Sequence, residues 1–240
     1  PVSQKPIVLN VCNFAKGSPT LLSFDDARTL FHEFGHALHQ ILSNVTYEPL
    51  SGTSVSRDFV ELPSQLFEHW LTVPEVLKRF AVHYKTKSPI SEKLMERLIG
   101  ASNYDMGYQT VEYTSSALVD LYFHLEDTEK DVMELQNEIL SKIGLPEAIK
   151  MRHATPHFAH VFSGGYYAAA YYSYMWSEVM DADAFSAFEE LDNPFDADLA
   201  KSLEDNILSK GNSLDPEIAY KRFRGSLPKV DALLRGRGLI

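Results

Sequence analysis

The sequence predicts a mainly α-helical unit with a small β-sheet near its N-terminus. Three observations carry that expectation. The β-branched, apolar run IVLNVCNF at 7–14 has strand character and stands early in the chain. Behind it, apolar residues at 27, 30, 31, 34, 38, 41 and 42 follow the spacing of one helix face. From there to the tail, helical patterns succeed one another with turn-like breaks, and no repeat or low-complexity linker divides them.

Pro6 and the turn AKGSP bound the strand. Ser23 opens the first helix, with Asp25 and Asp26 in its first turn, where carboxylates meet the positive end of the helix dipole. The stretch NVTYEPLSGTSVSR at 44–57 reads as loop. A second helix is predicted over 58–71, with Pro63 tolerable only in its first turn. Further helices are expected over 74–86, 91–102, 105–126 and 128–143, with Ser91 and Thr128 as N-caps. Gly144 and Pro146 end the last of these, and 146–151 reads as one more turn. A His-rich loop at 153–165 leads into a helix rich in tyrosine. Helices over roughly 194–209 and 214–224 and a Gly/Arg tail complete the chain.

The 240 residues, 45% of them hydrophobic, suffice to fill a sizeable core. The balance of 22 basic against 33 acidic residues gives a net charge of −11. With no Lys/Arg run interleaved with aromatics, nucleic acid and anionic membranes are not expected as partners. The single Cys12 excludes an internal disulfide framework and a multi-Cys metal site. It agrees with a reducing compartment, so a cytoplasmic setting is expected. No apolar run approaches the roughly 20 residues of a membrane helix. The chain begins PVSQKP, without Met, and is read as a processed chain or a fragment.

The chemistry concentrates in the first helix, at His32-Glu33-Phe34-Gly35-His36. Histidines at i and i+4 share a helix face, so both imidazoles can reach one Zn²⁺ at about 2.0–2.1 Å. Glu33 stands beside them, where it can take a proton from the attacking water. Gly35 and Ala37 are small enough to let another element pack closely. Two surface histidines with a chance Glu are the alternative. A catalytic zinc takes three protein ligands and keeps an open position. Glu48, Asp58, Glu61, Glu68 and His69 are candidates for the third. Glu61 is preferred because it lies in the first turn of the next long helix. Gln65 and Glu68 follow at i+4 and i+7, where they could orient the ligands from behind; a solvated helix face is their other reading. His39, one turn past His36, is expected to pack or face solvent.

FHEFGHALH, SGTSVSRDFVELPSQLFEHW, HFAHVFSGGYYAAAYYSYMWSEV and the tail ILSKGNSLDPEIAYKRFRGSLPKVDALLRGRGL resemble the thimet-oligopeptidase family of zinc metallopeptidases, and within it the bacterial dipeptidyl-carboxypeptidase branch. The resemblance covers essentially the whole chain. It implies a zincin-like helical catalytic domain, one Zn²⁺ per chain, and oligopeptide substrates. Family members are considerably longer, so residues 1–240 correspond to their C-terminal catalytic portion. The N-terminal part, one wall of the substrate channel, is missing.

Peptide hydrolysis passes through an oxyanion and needs fixed donors aimed at it. Tyr167, Tyr171 and Tyr174 stand at i, i+4 and i+7, one stripe on a helix, and phenols stay protonated at neutral pH. An aromatic core face is the competing reading of that stripe. The Gly164–Gly165 pair gives a flexible lead-in, and His160 precedes it. The resemblance implies that a His and spaced tyrosines here stabilise the transition state and contact substrate. These map to His160, Tyr167 and Tyr174 for catalysis and Tyr171 for binding. An extra residue in the glycine loop leaves Tyr166 able to take the place of Tyr167. Tyr172 and Trp176 are expected in the core, and His153 and His157 in a loop. Asn13 and Phe14 are candidates to hold substrate as an added strand beside the metal helix, against the alternative of an ordinary buried strand.

The function expected is zinc-dependent hydrolysis of short unstructured peptides with release of C-terminal dipeptides. An endo-acting oligopeptidase of the same family is the nearest rival, and an inactive peptide-binding domain of the same fold is another. Dipeptide release needs a cation for the terminal carboxylate, for which Arg57, Arg152 or a basic residue of the missing portion could serve.

Overall fold

A computed structural model describes residues 6–125 and 129–240. Helix α1 spans Phe24–Ile41 and is held at its start by a reciprocal capping box. Ser23 Oγ accepts from the Asp26 N–H at 3.0 Å, and the Asp26 carboxylate accepts from the Ser23 N–H at 2.9 Å. Helix α2, Leu62–Glu68, begins four residues later than its spacing predicts, because Asp58 to Glu61 form a turn. Pro63 sits in its first turn, and a 3₁₀ turn, His69–Thr72, extends it.

Helix α3, Pro74–Phe80, is shorter than the 74–86 predicted. The chain instead doubles back over 81–90 through an isolated bridge between Val82 and Pro89. Lys87 takes a left-handed φ of 59°, and Ser88 precedes a proline, which disfavours helix there. Helix α4, Glu92–Gly100, is capped by Ser91, and α5 runs over Met106–Leu125. Helix α6, Val132–Lys142, is capped by Asp131, whose Oδ1 accepts from the Met133 and Glu134 N–H groups. Thr128, the cap expected from sequence, lies outside the described residues. The stretch 146–151 is turn and coil, not helix.

Helix α7 is the short Ala159–Phe162 segment, and α8 spans Ser173–Glu190. Helix α9, Ala197–Leu203, continues into a π-helical turn, Glu204–Leu208. Helix α10, Pro216–Arg224, ends at Gly225 with φ 88°. Helix α11, Val230–Gly236, lies in the Gly/Arg tail, to which the sequence reading assigns no helix.

Two larger expectations fail as well. Residues 7–14 are extended, but no strand exists among the described residues, so the small N-terminal sheet is absent. Ile7, Leu9 and Val11 are 93%, 84% and 82% exposed, while Val8, Cys12 and Phe14 are half-buried. The alternation is that of a strand. A strand also needs a neighbour's N–H and C=O groups, and no described segment supplies them. The tyrosine-rich helix fails as well: residues 163–172 form a turning loop, and α8 starts only at Ser173. Ala169, at φ 55°, leaves the helical region in the middle of the stretch and prevents one.

The main core joins α2, α8, α9, the π turn and α10. It includes Leu62, Leu66, Phe185, Phe188, Ile207, Tyr220 and Phe223. A second, smaller cluster of Val119, Leu135 and Ile139 joins α5 to α6. Helix α1 lies directly on α2 at Gly35, where an added Cβ would stand 2.6 Å from both the Pro63 carbonyl oxygen and the Ser64 Cα. That close approach sets α1 against the turn that carries Glu61.

Candidate active site

The α1–α2 contact brings His32, His36 and Glu61 together. Each offers one donor atom, these atoms lie within 4.8 Å of one another, and the three could hold a metal ion. Glu61 Oε2 stands 3.1 Å from His36 Nε2 and 3.3 Å from His32 Nε2. Glu61 is buried as the N-cap residue of α2, and Ser64 Oγ donates to its Oε2 at 3.0 Å. Two histidines and one carboxylate are the donor set of an open catalytic zinc site, so the residues present fit a metal. Burial pushes His32 down, but the Glu61 and Glu68 carboxylates outweigh it and raise it to about 10. Burial raises Glu61, yet His32 and His36 hold it well below the usual carboxylate range. A proton and a cation therefore compete for the same donors.

Glu68, on the next turns of α2, accepts from His32 Nδ1 at 2.7 Å. Gln65 does not touch the trio. Its Nε2 donates instead to the Tyr174 carbonyl at 3.1 Å. The remaining third-ligand candidates turn elsewhere. His69 pairs with Asp181 at 2.7 Å, Asp58 accepts from the Tyr172 hydroxyl at 3.2 Å, and Glu48 is exposed in a 3₁₀ turn. His39 is wholly buried. Glu33 is half-buried and makes no hydrogen bond or ion pair among the described residues, so its carboxylate is uncommitted.

The aromatic wall is assembled from α7, the 163–172 loop and the first turn of α8 rather than from one helix. His160, in α7, has ring centroids 5.1, 5.5 and 5.8 Å from those of Tyr167, Tyr171 and Tyr174, and its Nε2 lies 3.4 Å from the Tyr174 hydroxyl. Arg57 stands over the rings of Tyr166, Tyr167 and Tyr174 at 5.3, 5.1 and 5.4 Å, within cation–π range. Its Nη2 donates to the Tyr174 hydroxyl at 3.0 Å, and its Nη1 reaches Glu61 Oε1 at 3.5 Å. One guanidinium thus joins the metal-competent trio to the phenols. Burial and the Arg57 charge lower His160, and burial raises Tyr171 and Tyr174. At neutral pH the imidazole is uncharged and the Tyr171 and Tyr174 phenols keep their protons.

Other assignments change. Tyr172 and Trp176, expected in the core, are 43% and 55% exposed. His153 stacks on buried Phe158 at 5.3 Å, and His157 is exposed. No hydrogen bond or ring contact joins Asn13 or Phe14 to the trio among the described residues. Sequence reasoning missed Tyr113 and Asp120 of α5. The Tyr113 hydroxyl donates to the Tyr171 carbonyl, and Asp120 accepts from the N–H groups of Ala169 and Tyr171. The available signal was a single carboxylate in the apolar stretch ALVDLYFHL, since a buried charge needs donors around it.

The model of peptidase family M3 matches residues 2–239. The chain belongs to peptidase family M3. It is 41% identical over 242 residues to the dipeptidyl carboxypeptidase of Escherichia coli, an alignment covering 98% of this chain and 35% of that protein. It is 40% identical to E. coli oligopeptidase A, with 98% and 35% covered, and 35% identical to a thimet-like oligopeptidase of Dictyostelium discoideum, with 98% and 36% covered. The chain therefore spans about a third of the length of these M3 relatives. Among its described residues no helix is long and apolar enough to cross a membrane.

Proposed function

We propose that the protein to which this chain belongs is a zinc-dependent peptidase that hydrolyses short unstructured oligopeptides and releases C-terminal dipeptides. Residues 1–240 are its C-terminal catalytic portion, completed by an N-terminal portion, and its setting is the cytoplasm. The carrying observation is the His32, His36 and Glu61 trio beside the Arg57-held phenols. His32, His36 and Glu61 would hold the metal: two imidazoles and one carboxylate are the donor set of an open catalytic zinc site, and their donor atoms lie within 4.8 Å of one another.

Zinc, when bound by these residues, supplies a Lewis acid that polarises the scissile carbonyl and acidifies the attacking water. The uncommitted Glu33 accepts the water's proton and passes it to the leaving amine. Uncharged His160 and the hydroxyls of Tyr167 and Tyr174 donate to the developing oxyanion. Tyr166 and Tyr171 hold the substrate backbone. The extended stretch around Asn13 and Phe14 has no ladder partner among the described residues, which leaves backbone groups there for pairing with a peptide. Glu68 orients His32, while Gln65 orients Tyr174.

Endo-acting cleavage is the second reading, because relatives named dipeptidyl carboxypeptidase and oligopeptidase A match almost equally, at 41% and 40% identity. For dipeptide release, Arg57 is committed to Tyr174 and Glu61. Arg152 is exposed, and its charge is felt at the Tyr171 phenol, so it is the better-placed receptor for a terminal carboxylate. The test uses the full-length protein. Metal analysis should find one zinc per chain, and His36→Ala should lose it. Mass spectrometry of the products of a short peptide should show shortening from the C-terminus in two-residue steps. Internal cleavage would transfer the assignment to the endo reading, and full zinc occupancy in His36→Ala would overturn the site.

A further inference from the structure

We infer that Asp120 is the positioning residue of the phenol loop: from α5, behind the site, it sets where the 163–172 backbone runs and so where the tyrosine rings stand against His160. This inference rests on the peptidase reading above.

Arg57 stands over the Tyr166 and Tyr167 rings, and Tyr171 packs on Phe158 and Tyr113, but these contacts engage side chains and leave the course of the loop backbone to be fixed. Gly164 takes φ 140°, and a Cβ added at Gly164 or Gly165 would meet nothing within 4 Å, so its leading end has no packing support. Its trailing end turns through Ala169, a residue with a Cβ in the left-handed region at φ 55°. Such a conformation costs free energy and persists only when the surroundings impose it.

Asp120 supplies that restraint. It is 2% exposed, and its two oxygens take separate donors from the loop. Oδ1 accepts from the Ala169 N–H at 3.1 Å, and Oδ2 accepts from the Tyr171 N–H at 2.9 Å. Alternate N–H groups bound by one carboxylate enclose Ala170 in a closed ring, which a neutral acceptor with one oxygen cannot do. His124 Nδ1, one turn along α5, lies 2.9 Å from Asp120 Oδ1 and 3.3 Å from the Ala169 nitrogen, so it stands against the same corner of the loop. Tyr113, seven residues earlier on the same face of α5, donates its hydroxyl to the Tyr171 carbonyl. The Tyr171 peptide is therefore gripped on both sides from α5. Asp120 touches no reacting atom in this arrangement and acts through the loop. A displacement of about 1 Å in a catalytic donor can lower turnover about 10²-fold.

The experiment is a set of variants of the full-length protein, assayed for kcat, KM, metal content and Tm. Asp120→Asn is nearly isosteric, but its amide NH₂ faces one of the loop N–H groups. It should retain zinc while kcat falls about 10- to 100-fold. Combined with Tyr167→Phe, it should lose little beyond the worse single variant, because both remove the same donor. Tyr113→Phe removes no buried charge and should lower kcat about 3- to 10-fold, with KM changed less.

Parental kcat in Asp120→Asn, or losses that multiply in the double variant, would overturn the inference. Should Asp120→Asn fail to fold, parental kcat in Tyr113→Phe would overturn it alone. Glu33→Gln run in parallel separates the two levels. If Glu33→Gln abolishes turnover and the α5 variants do not, only the positioning role fails. If Glu33→Gln keeps full turnover, the peptidase reading fails and the positioning role falls with it.

Discussion

The two halves of the site are built by different means. The metal-facing half is two regular helices, α1 and α2, pressed together at Gly35 and backed by the main apolar core. The phenol half is an irregular loop together with the first turn of α8, held by single polar groups: Arg57 and Gln65 reach Tyr174 of α8 in front, and Asp120 and Tyr113 hold the loop backbone behind. Non-directional burial stabilises the first over many contacts. Directional bonds, few in number and each short-ranged, place the second. A change in the first half should therefore show in folding and metal content together. A change in the second should show in turnover with folding nearly intact.

The largest expected effect tests the shared chemistry. Glu33→Gln removes the proton acceptor and should lower kcat on the order of 10²–10⁴-fold with zinc still bound. Metal loss in that variant would mean that Glu33 supports the helix pair instead.

Next come the phenols. Tyr167→Phe and Tyr174→Phe should each lower kcat on the order of 10²–10³-fold with Tm nearly unchanged. Tyr171→Phe should be the mildest, because its peptide is held by Asp120 and Tyr113 rather than through its hydroxyl. Tyr166→Phe belongs in the same series. If all four keep parental kcat/KM, the wall is structural and the contrast between the halves disappears.

Gly35→Ala tests the helix half. Its Cβ would meet the α2 backbone at 2.6 Å, and such overpacking costs about 1–3 kcal/mol. Tm and zinc affinity should fall together. A fall in Tm with unchanged zinc affinity would show that the α1–α2 spacing does not place Glu61.

The smallest effect is a pH dependence of the metal-free protein. Raised from 6.5 to about 10, His32 contributes stability that is complete below 6.5 and is lost as pH rises toward 10. Held below its ordinary 4.5, Glu61 contributes stability that is complete above 4.5 and is lost as pH falls. The Tm of the apo protein should therefore peak between about 4.5 and 6.5. His32→Ala should flatten the alkaline side of that curve, and an unchanged curve would refute the coupling.

The contrast also explains what was legible in the sequence. The helix half was readable because period 3.6 states which residues share a face, and Ser23 with Asp26 marks where α1 starts. The same period misled at 163–172. Tyr167, Tyr171 and Tyr174 do gather around His160, but the spacing that suggested it belongs to a helix that Ala169 interrupts. The strand at 7–14 was read correctly as an extended stretch and wrongly as part of a sheet, since pairing depends on residues outside the run. Arg57 and Asp120 act across 117 and 51 positions of chain, which no local pattern records.

Gly35 changes what the five-letter metal motif says. In the general pattern the third and fourth letters are free, but here the α2 backbone occupies the space a Cβ would need. The fourth letter is thus a statement about a neighbouring helix rather than about metal chemistry. A designer who transplants the two histidines and the glutamate onto another helix pair must also transplant the missing methyl group. Otherwise the third ligand arrives on a turn that stands too far away. The information content of the pattern is greater than its three chemical letters because one silent position encodes an interhelical distance.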